Sequence, residues 1–178
     1  NVDGRTMRSA LTRQAGAILR FYLDRVHALG AELSLSSRFT GVTPDLLALA
    51  DRASDGSAQR TDEPYRRALS GIYARLAATL MALTGDAPPK TPAVTGERYT
   101  DPTQLRADLI TIHRSLLQHQ GKSFRRGPLA RLIRAVDVFG CHLATLDLRQ
   151  NSAVHARTAA ELLKAAGVVD EYAKLDED

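Results

Sequence analysis

The sequence predicts a mainly α-helical chain of about six helices with one short strand, at about residues 142–148. Three observations favour this fold class. Through most of the chain, apolar residues recur at steps of three and four, as they do on one face of a helix. Prolines stand where helices are predicted to begin, at positions 44, 64, 102 and 128. Residues 142–149 alternate between two faces instead, as a strand requires.

The first predicted helix begins near Thr6, whose hydroxyl can cap it, and runs to about Leu33. Its apolar stripe consists of Met7, Leu11, Ala15, Ile18, Tyr22, Val26, Leu29 and Leu33. Such a helix is much longer than the average of ~11–12 residues in globular proteins. This length is typical of a strut in a large α-rich protein.

Four further helices are predicted from local signals between Thr43 and Gly140. They follow Thr43-Pro44, run from Pro64 to Gly85, follow Asp101-Pro102 and end near Gly121, and run from Pro128 to Gly140. The segment from Asp86 to Thr100 contains three prolines and almost nothing apolar, and predicts an exposed linker.

The predicted strand carries His142, Ala144, Leu146 and Leu148 on one face, and Leu143, Thr145, Asp147 and Arg149 on the other. A lone strand leaves a row of backbone donors and acceptors unpaired. Since no other segment offers it a partner, we expect the chain to be a fragment of a longer polypeptide. A sixth helix follows, capped by Asn151 or Ser152 and ended by Gly167.

Composition argues against several classes of protein. The 24 Lys and Arg residues give a net charge of +4, but they are scattered without interleaved aromatic residues, so we expect no nucleic-acid partner. No apolar run approaches the ~20 residues of a membrane span, so we expect a cytoplasmic protein without a membrane partner. The lone Cys141 excludes an internal disulfide and reads as a small buried thiol. The five histidines show no spacing typical of metal ligands, so we expect no metal site in this chain.

Arg149 and Gln150 are the candidate site residues. They end the predicted strand and immediately precede a helix, which is the arrangement of one unit of a β/α barrel, where active sites lie at the carboxyl ends of the strands. A guanidinium beside the N–H groups of a helix N-terminus suits an anion. The alternative is that Arg149 pairs with a neighbouring acid such as Asp147.

The run from Phe139 to Ser152, followed by Val154 and His155, resembles a signature of the phosphoenolpyruvate carboxylase family. That signature reads Phe-Gly-x-His-Leu-x-x-Leu-Asp-Ile/Leu-Arg-Gln-Asn/Glu-Ser…His. Further segments resemble the family in the same order and cover essentially the whole chain: Glu32 to Arg38, Glu63 to Arg67, and Tyr99 with Leu105 to Leu116.

The resemblance implies a large, mostly helical enzyme built around a β/α barrel, usually a homotetramer under allosteric control. With Mg²⁺ or Mn²⁺, the family joins bicarbonate to phosphoenolpyruvate, giving oxaloacetate and phosphate and supplying the tricarboxylic acid cycle. Bicarbonate attacks the phosphoryl group, and the resulting enolate takes up carbon from carboxyphosphate. The family arginine matching Arg149 faces phosphoenolpyruvate, which makes Arg149 the candidate catalytic and substrate-binding residue, with Gln150 as a second substrate-binding candidate.

The resemblance also divides the chain. We expect 1–178 to be a single α-helical fragment, with a helical part at 1–140 and the first strand-plus-helix unit of the barrel at 141–166. The family's catalytic histidine, in a Thr-Ala-His-Pro-Thr context, has no counterpart here, nor do its glycine-rich loop and its metal-binding carboxylates. We therefore expect the fragment to bind no metal and to be inactive alone, with the remainder of the polypeptide and further subunits as its partners.

The alternative function is a free-standing helical module that binds a protein or a nucleic acid. The long first helix and the positive net charge favour this reading. A reading frame that continues on both sides through glycine-rich and metal-binding motifs would exclude it.

Overall fold

The computed structural model describes residues 3–53, 60–120, 126–145, 151–169 and 172. Six α-helices lie within these residues, which confirms the mainly α fold. They are α1 (Gly4–Glu32), α2 (Pro44–Arg52), α3 (Pro64–Thr84), α4 (Pro102–Gln120), α5 (Pro128–Phe139) and α6 (Ser152–Ala165). No described helix is long and apolar enough to span a membrane.

The chain divides into two compact units, residues 1–144 and 145–178. The division at 140 and 141 expected from the sequence remains a prediction. The first unit contains α1 to α5 and the hydrophobic core, and the second contains α6.

The core of the first unit is formed by the apolar stripes of its helices. Helix α3 lies at its centre and contacts α1, α2 and α4, while α5 packs against α4 and α1. Burying one such large apolar side chain stabilises the fold by roughly 1.5–3 kcal/mol. The largest fully buried side chains are Tyr22, Tyr65, Leu19, Leu23, Leu46, Leu69, Ile72, Leu76, Leu80, Leu109, Ile112 and Leu116.

Most helix boundaries follow the local signals read from the sequence. Helices α2 to α5 all begin at the predicted prolines, and the Thr43 hydroxyl accepts the Leu46 N–H at 3.3 Å. Gly85 ends α3 with a positive φ of 77°, a conformation that glycine adopts without the steric cost of a side chain.

The predicted cap of α1 is wrong. Asp3, not Thr6, caps the helix: its carboxylate accepts the backbone N–H of Thr6 at 2.7 Å, and the helix begins at Gly4. Both residue types can cap a helix, and here Thr6 lies inside the first turn, where its N–H is the group that Asp3 caps.

The predicted linker from Asp86 to Thr100 is only partly exposed. Tyr99 is buried, and its N–H donates to Thr79 Oγ1 at 2.9 Å. The Lys90 carbonyl accepts the Tyr73 hydroxyl at 3.0 Å, and the Glu97 carbonyl accepts Arg75 Nε–H at 3.1 Å. The segment therefore lies along α3, because polar groups of α3 satisfy its backbone.

The described part of the predicted strand, His142 to Thr145, is not a strand. All four residues are exposed, and the N–H groups of Leu143 and Ala144 donate to the side chain of Gln14. The alternating pattern satisfies the side-chain requirement of a strand, but a strand also needs a neighbouring backbone to pair with. Positions 146–148 of the prediction lie outside the described residues.

Candidate functional site

Arg149 and Gln150, the candidate site residues, lie outside the part of the chain that the structure describes. What the structure describes is how the backbone is held on each side of them. Residues 140–145 precede the Leu-Asp-Leu-Arg-Gln run, and Asn151 with α6 follows it.

The backbone that precedes the Leu-Asp-Leu-Arg-Gln run is held first by Tyr22. This side chain is buried, and its hydroxyl lies 2.9 Å from the Gly140 carbonyl and 3.1 Å from the Ala135 carbonyl, so its single hydrogen donates in a bond shared between the two oxygens. Burial raises the pKa of Tyr22 well above its usual value, so the phenol stays protonated and remains a donor. Tyr22 thereby ties the middle of α1 to the end of α5.

A second anchor follows three residues later in the chain. The side-chain oxygen of Gln14 accepts the N–H of Leu143 at 3.0 Å and the N–H of Ala144 at 2.8 Å. Two donors facing one atom identify that atom as the amide oxygen, because an NH₂ group cannot accept. The sequence carries no signal of this contact, since it joins residues 129 positions apart.

On the other side of the run, Asn151 caps α6. Its side-chain oxygen accepts the N–H of Ala153 at 2.8 Å and of Val154 at 3.4 Å, and its carbonyl accepts the N–H of His155 at 3.3 Å. These N–H groups are the ones that the sequence analysis expected to help hold an anion beside Arg149. Because the chain itself occupies them, anion binding there would depend more on the guanidinium than on the helix N-terminus.

Cys141 lies between the two anchors and is half-buried against the core. Burial raises the pKa of its thiol, and the negative charge of Asp101 acts in the same direction. A thiol with a raised pKa is a poor nucleophile. Cys141 is thus less buried than the sequence predicted, and it packs against the core with one side.

An ionic network around the buried Asp108, missed from the sequence, joins α2, α3 and α4. Asp108 Oδ2 accepts Arg75 Nη1 at 2.7 Å and the Tyr99 hydroxyl at 2.9 Å, while Oδ1 accepts Arg52 Nη2 at 3.1 Å. The Arg75 guanidinium also stacks 3.9 Å above the Tyr99 ring. The sequence could have indicated this network, because Asp108 lies within the apolar stripe of α4, where a buried charge requires partners.

The Asp108 network borders a cleft of about 350 Å³ between α2, α3 and the 95–97 segment. Both oxygens of Asp108 are occupied by donors, and Arg75 is engaged on two sides. The network therefore holds helices together rather than presenting a reactive group.

A second cleft, of about 250 Å³, lies between α1, α3 and the linker, with cationic groups on its rim. Lys90 Nζ donates to His27 Nε2 at 2.6 Å, and Arg66 pairs with Glu63 at 3.3 Å. In the first contact Lys90 is the donor and His27 Nε2 the acceptor, since an ammonium can only donate. Both cations thus have partners within the chain.

The described part of the chain contains no group of three or more His, Cys, Asp or Glu side chains that is placed to hold a metal ion. Asp108 is the most enclosed carboxylate, and its ligand positions are taken by two guanidinium groups and a phenol.

Comparison with known proteins gives a match over the whole chain. The family model described as phosphoenolpyruvate carboxylase matches residues 1–178. Among curated proteins, the chain is 53% identical over 176 residues to the phosphoenolpyruvate carboxylase of Ralstonia nicotianae, which covers 99% of this chain and 18% of that protein. It is 53% identical over 176 residues to the enzyme of Aromatoleum aromaticum, and 48% identical over 177 residues to that of Rhodopseudomonas palustris. Each of these last two alignments covers 99% of this chain and 19% of the relative.

The chain thus spans about a fifth of the length of the curated relatives it matches. The matched part includes the run from Phe139 to Ser152 that carries Arg149.

Proposed function

Because the chain belongs to the phosphoenolpyruvate carboxylase family, we propose that it forms part of an enzyme that carboxylates phosphoenolpyruvate with bicarbonate. The products are oxaloacetate and phosphate. The observation that carries the proposal is the match along all 178 residues, including the Leu-Asp-Leu-Arg-Gln run. The alternative of a free-standing binding module has no comparable support.

Arg149 is the residue of this chain that we assign to the chemistry. Negative charge passes from the phosphoryl group to the enolate when bicarbonate oxygen attacks phosphorus and the bond to the enol oxygen breaks. A guanidinium keeps its charge at every accessible pH and can contact two oxygens at once. Arg149 would therefore bind phosphoenolpyruvate and stabilise the transferring charge, with Gln150 as a neutral hydrogen-bonding neighbour.

The divalent metal of the reaction, Mg²⁺ or Mn²⁺, would supply charge stabilisation at the phosphoryl and enolate oxygens when bound. The described residues offer no ligand set for it. Because the chain spans only about a fifth of its relatives' length, we assign the metal ligands and the proton-transfer groups to other segments of the full-length polypeptide. It follows that residues 1–178 alone would not turn over.

Family membership also supports proposals about the whole enzyme. We propose a cytoplasmic, allosterically controlled homotetramer that supplies oxaloacetate to the tricarboxylic acid cycle. Residues 141–166 would then be the part of the chain at which the helical part enters the barrel. Neither a nucleic acid nor a membrane is proposed as a partner.

The test is oxaloacetate formation by the full-length enzyme with phosphoenolpyruvate, bicarbonate and Mg²⁺, measured through NADH oxidation by coupled malate dehydrogenase. We expect turnover that requires all three components, and none from a polypeptide of residues 1–178. A full-length enzyme that forms no oxaloacetate, or an active 1–178 polypeptide, would contradict the proposal.

A further inference from the structure

We propose that Lys90 is a reactive lysine, acylated by small acyl phosphates that bind in the cleft between α1, α3 and the linker. This modification site goes beyond the carboxylation proposed above and does not depend on it. Three observations carry the inference: a base lies beside the Lys90 amine, the backbone of Lys90 is held in place, and cationic groups surround an apolar cleft.

The Lys90 amine has a base within hydrogen-bond distance. Its Nζ lies 2.6 Å from His27 Nε2, to which it donates. An ammonium group has no free electron pair, so a lysine attacks an electrophile only after it has lost a proton. A nucleophile and a base within ~2.6–3.2 Å of one another form the arrangement by which proteins activate a weak nucleophile. His27 is therefore placed to take the proton that keeps Lys90 unreactive.

Tyr73 positions both members of this pair. Its hydroxyl donates to the Lys90 carbonyl at 3.0 Å and accepts the Lys90 N–H at 3.1 Å, so the Lys90 side chain extends from a held backbone. The Tyr73 ring also stands edge-on to the His27 imidazole, with 6.3 Å between the ring centroids. Tyr73 is itself buried in the core, so the nucleophile and the base are both fixed relative to α3.

The cleft beside this pair combines an apolar lining with a cationic rim. Among its lining residues, Val26, Leu69 and Tyr73 are buried and apolar or aromatic. Arg66 lies on the rim with its side chain 45% exposed, and its bond to Glu63 is 3.3 Å long. A guanidinium has five N–H donors, so this one bond leaves donors for a bound anion.

These features favour an acyl phosphate as the ligand. Its phosphate carries two negative charges that guanidinium and ammonium groups recognise, and its short acyl chain suits the apolar lining. Drug-sized ligands occupy pockets of about 300–1,000 Å³. A cleft of about 250 Å³ therefore suits a small acyl phosphate better than an acyl group carried by a large coenzyme.

The reaction transfers the acyl group from oxygen to nitrogen. His27 Nε2 takes one proton from the Lys90 ammonium, and the resulting amine attacks the acyl carbon. The C–O bond to the phosphoryl group breaks, its electron pair leaves with the phosphate, and a second proton passes from the attacking nitrogen to the departing oxygen. The products are a neutral amide at Lys90, hydrogen phosphate and protonated His27, so the rim of the cleft loses one cation.

The test treats the full-length enzyme with acetyl phosphate and follows the acetylation rate of individual lysines by peptide mass spectrometry. Lys164, an exposed lysine of α6, is the internal reference. We expect Lys90 to be acetylated at least about tenfold faster than Lys164. His27→Gln should lower the Lys90 rate at least about tenfold and leave the Lys164 rate unchanged, because glutamine accepts a hydrogen bond but cannot take the proton.

A second pair of measurements tests the class of substrate. Inorganic phosphate should slow the acetylation of Lys90 by acetyl phosphate but not by p-nitrophenyl acetate, which carries no phosphate. Arg66→Gln should raise the acetyl phosphate concentration for half-maximal rate about threefold, the effect of one partly exposed charge pair. Arg131→Gln, at an exposed arginine of α5, is the matched control and should leave this concentration unchanged.

Two outcomes would overturn the proposal: acetylation of Lys90 no faster than that of Lys164, or a Lys90 rate unchanged in His27→Gln. A Lys90 rate insensitive to both inorganic phosphate and Arg66→Gln would overturn the assignment of acyl phosphates as the substrates. All of these measurements follow the modification of lysine rather than oxaloacetate formation. Their outcome is therefore independent of whether the proposed carboxylation is observed.

Discussion

The Tyr99 hydroxyl donates a hydrogen bond to Asp108 Oδ2 at 2.9 Å, and both side chains are buried. Arg75 donates to the same oxygen at 2.7 Å, and Arg52 donates to the other oxygen at 3.1 Å. Burial raises the pKa of Tyr99, and the neighbouring Asp108 carboxylate raises it further, so the phenol stays protonated and remains a donor. One carboxylate thus organises three helices and the 95–99 segment.

Asp108→Asn should therefore destabilise the chain. An asparagine offers one acceptor atom in place of two, and its NH₂ group would face a guanidinium that can only donate. We expect the free energy of unfolding to fall by about 2–3 kcal/mol, less than for a fully buried pair because Arg52 is largely exposed. Urea unfolding followed by circular dichroism measures the change.

Asp86→Asn is the matched control for that substitution. Asp86 pairs with Arg20 at 2.7 Å, but their side chains are 52% and 44% exposed, so solvent screens the pair. We expect a loss below about 1 kcal/mol. Equal losses for the two variants would contradict the structural role assigned to the Asp108 network.

Gly71→Ala should destabilise the contact between α2 and α3. A Cβ at Gly71 would lie 2.8 Å from the Cβ of Ala53, at the end of α2, so one helix must move. Overpacking of this kind costs about 1–3 kcal/mol. The measurement is again the free energy of unfolding in urea.

Gly30→Ala in α1 provides the comparison, because nothing lies within 4 Å of a Cβ built there. Alanine is the better helix former by roughly 0.8–1 kcal/mol in a helix interior, so this variant should be slightly more stable than the wild type. If both glycine variants shift stability in the same direction, the close approach at Ala53 is not the deciding factor.

The cap of α1 predicts a dependence of stability on pH. The pKa of Asp3 lies below its ordinary value, first because the carboxylate accepts the Thr6 backbone N–H and second because of the Thr6 hydroxyl. A carboxyl whose pKa is depressed in the folded state stabilises that state above the unfolded pKa of about 3.9. This contribution is lost as the pH falls through the lower folded value.

Asp3→Asn isolates the charged part of that contribution, since asparagine caps helices about as well as aspartate. We expect the wild type to be more stable than the variant at pH 6, and the difference to shrink as the pH falls below about 3.9. Urea unfolding of both proteins over a series of pH values measures this. A difference independent of pH would show that the charge of Asp3 does not contribute.

Features of this structure that depend on residues close together along the chain could be predicted from the sequence, and most of those that depend on distant residues could not. The starts of α2 to α5 were predictable, because proline chemistry acts within one turn of the chain. The absence of a strand over His142 to Thr145 was not predictable, since alternation of side chains does not reveal whether a backbone partner exists. Gln14 carried no signal because its contacts are 129 and 130 positions away, whereas Asp108 was detectable as a charge within an apolar stripe.

The same difference between local and long-range interactions applies to the candidate site. The family motif from Phe139 to Ser152 identifies Arg149 through its local sequence, and the family comparison matches that region. The role of Arg149 in binding and catalysis remains a prediction, since the residue lies outside the described part of the chain. Only the structure shows that Tyr22 and Gln14 hold the backbone that precedes this run.

In the full-length enzyme, Arg149→Ala should lower turnover by ~10²–10³, corresponding to about 3–4 kcal/mol of lost transition-state stabilisation. Arg149→Lys should keep part of the affinity for phosphoenolpyruvate but lose most of the turnover, because a lysine retains the charge without the two-oxygen geometry. Steady-state kinetics measures both effects, with circular dichroism to confirm folding. A well-folded Arg149→Ala enzyme with near-normal kcat and KM would reduce Arg149 to a structural ion-pair partner, the reading in which it pairs with Asp147. Loss of affinity with unchanged kcat would instead place its contribution in substrate binding alone, since an interaction that is equally strong in the ground and transition states raises no rate at saturation.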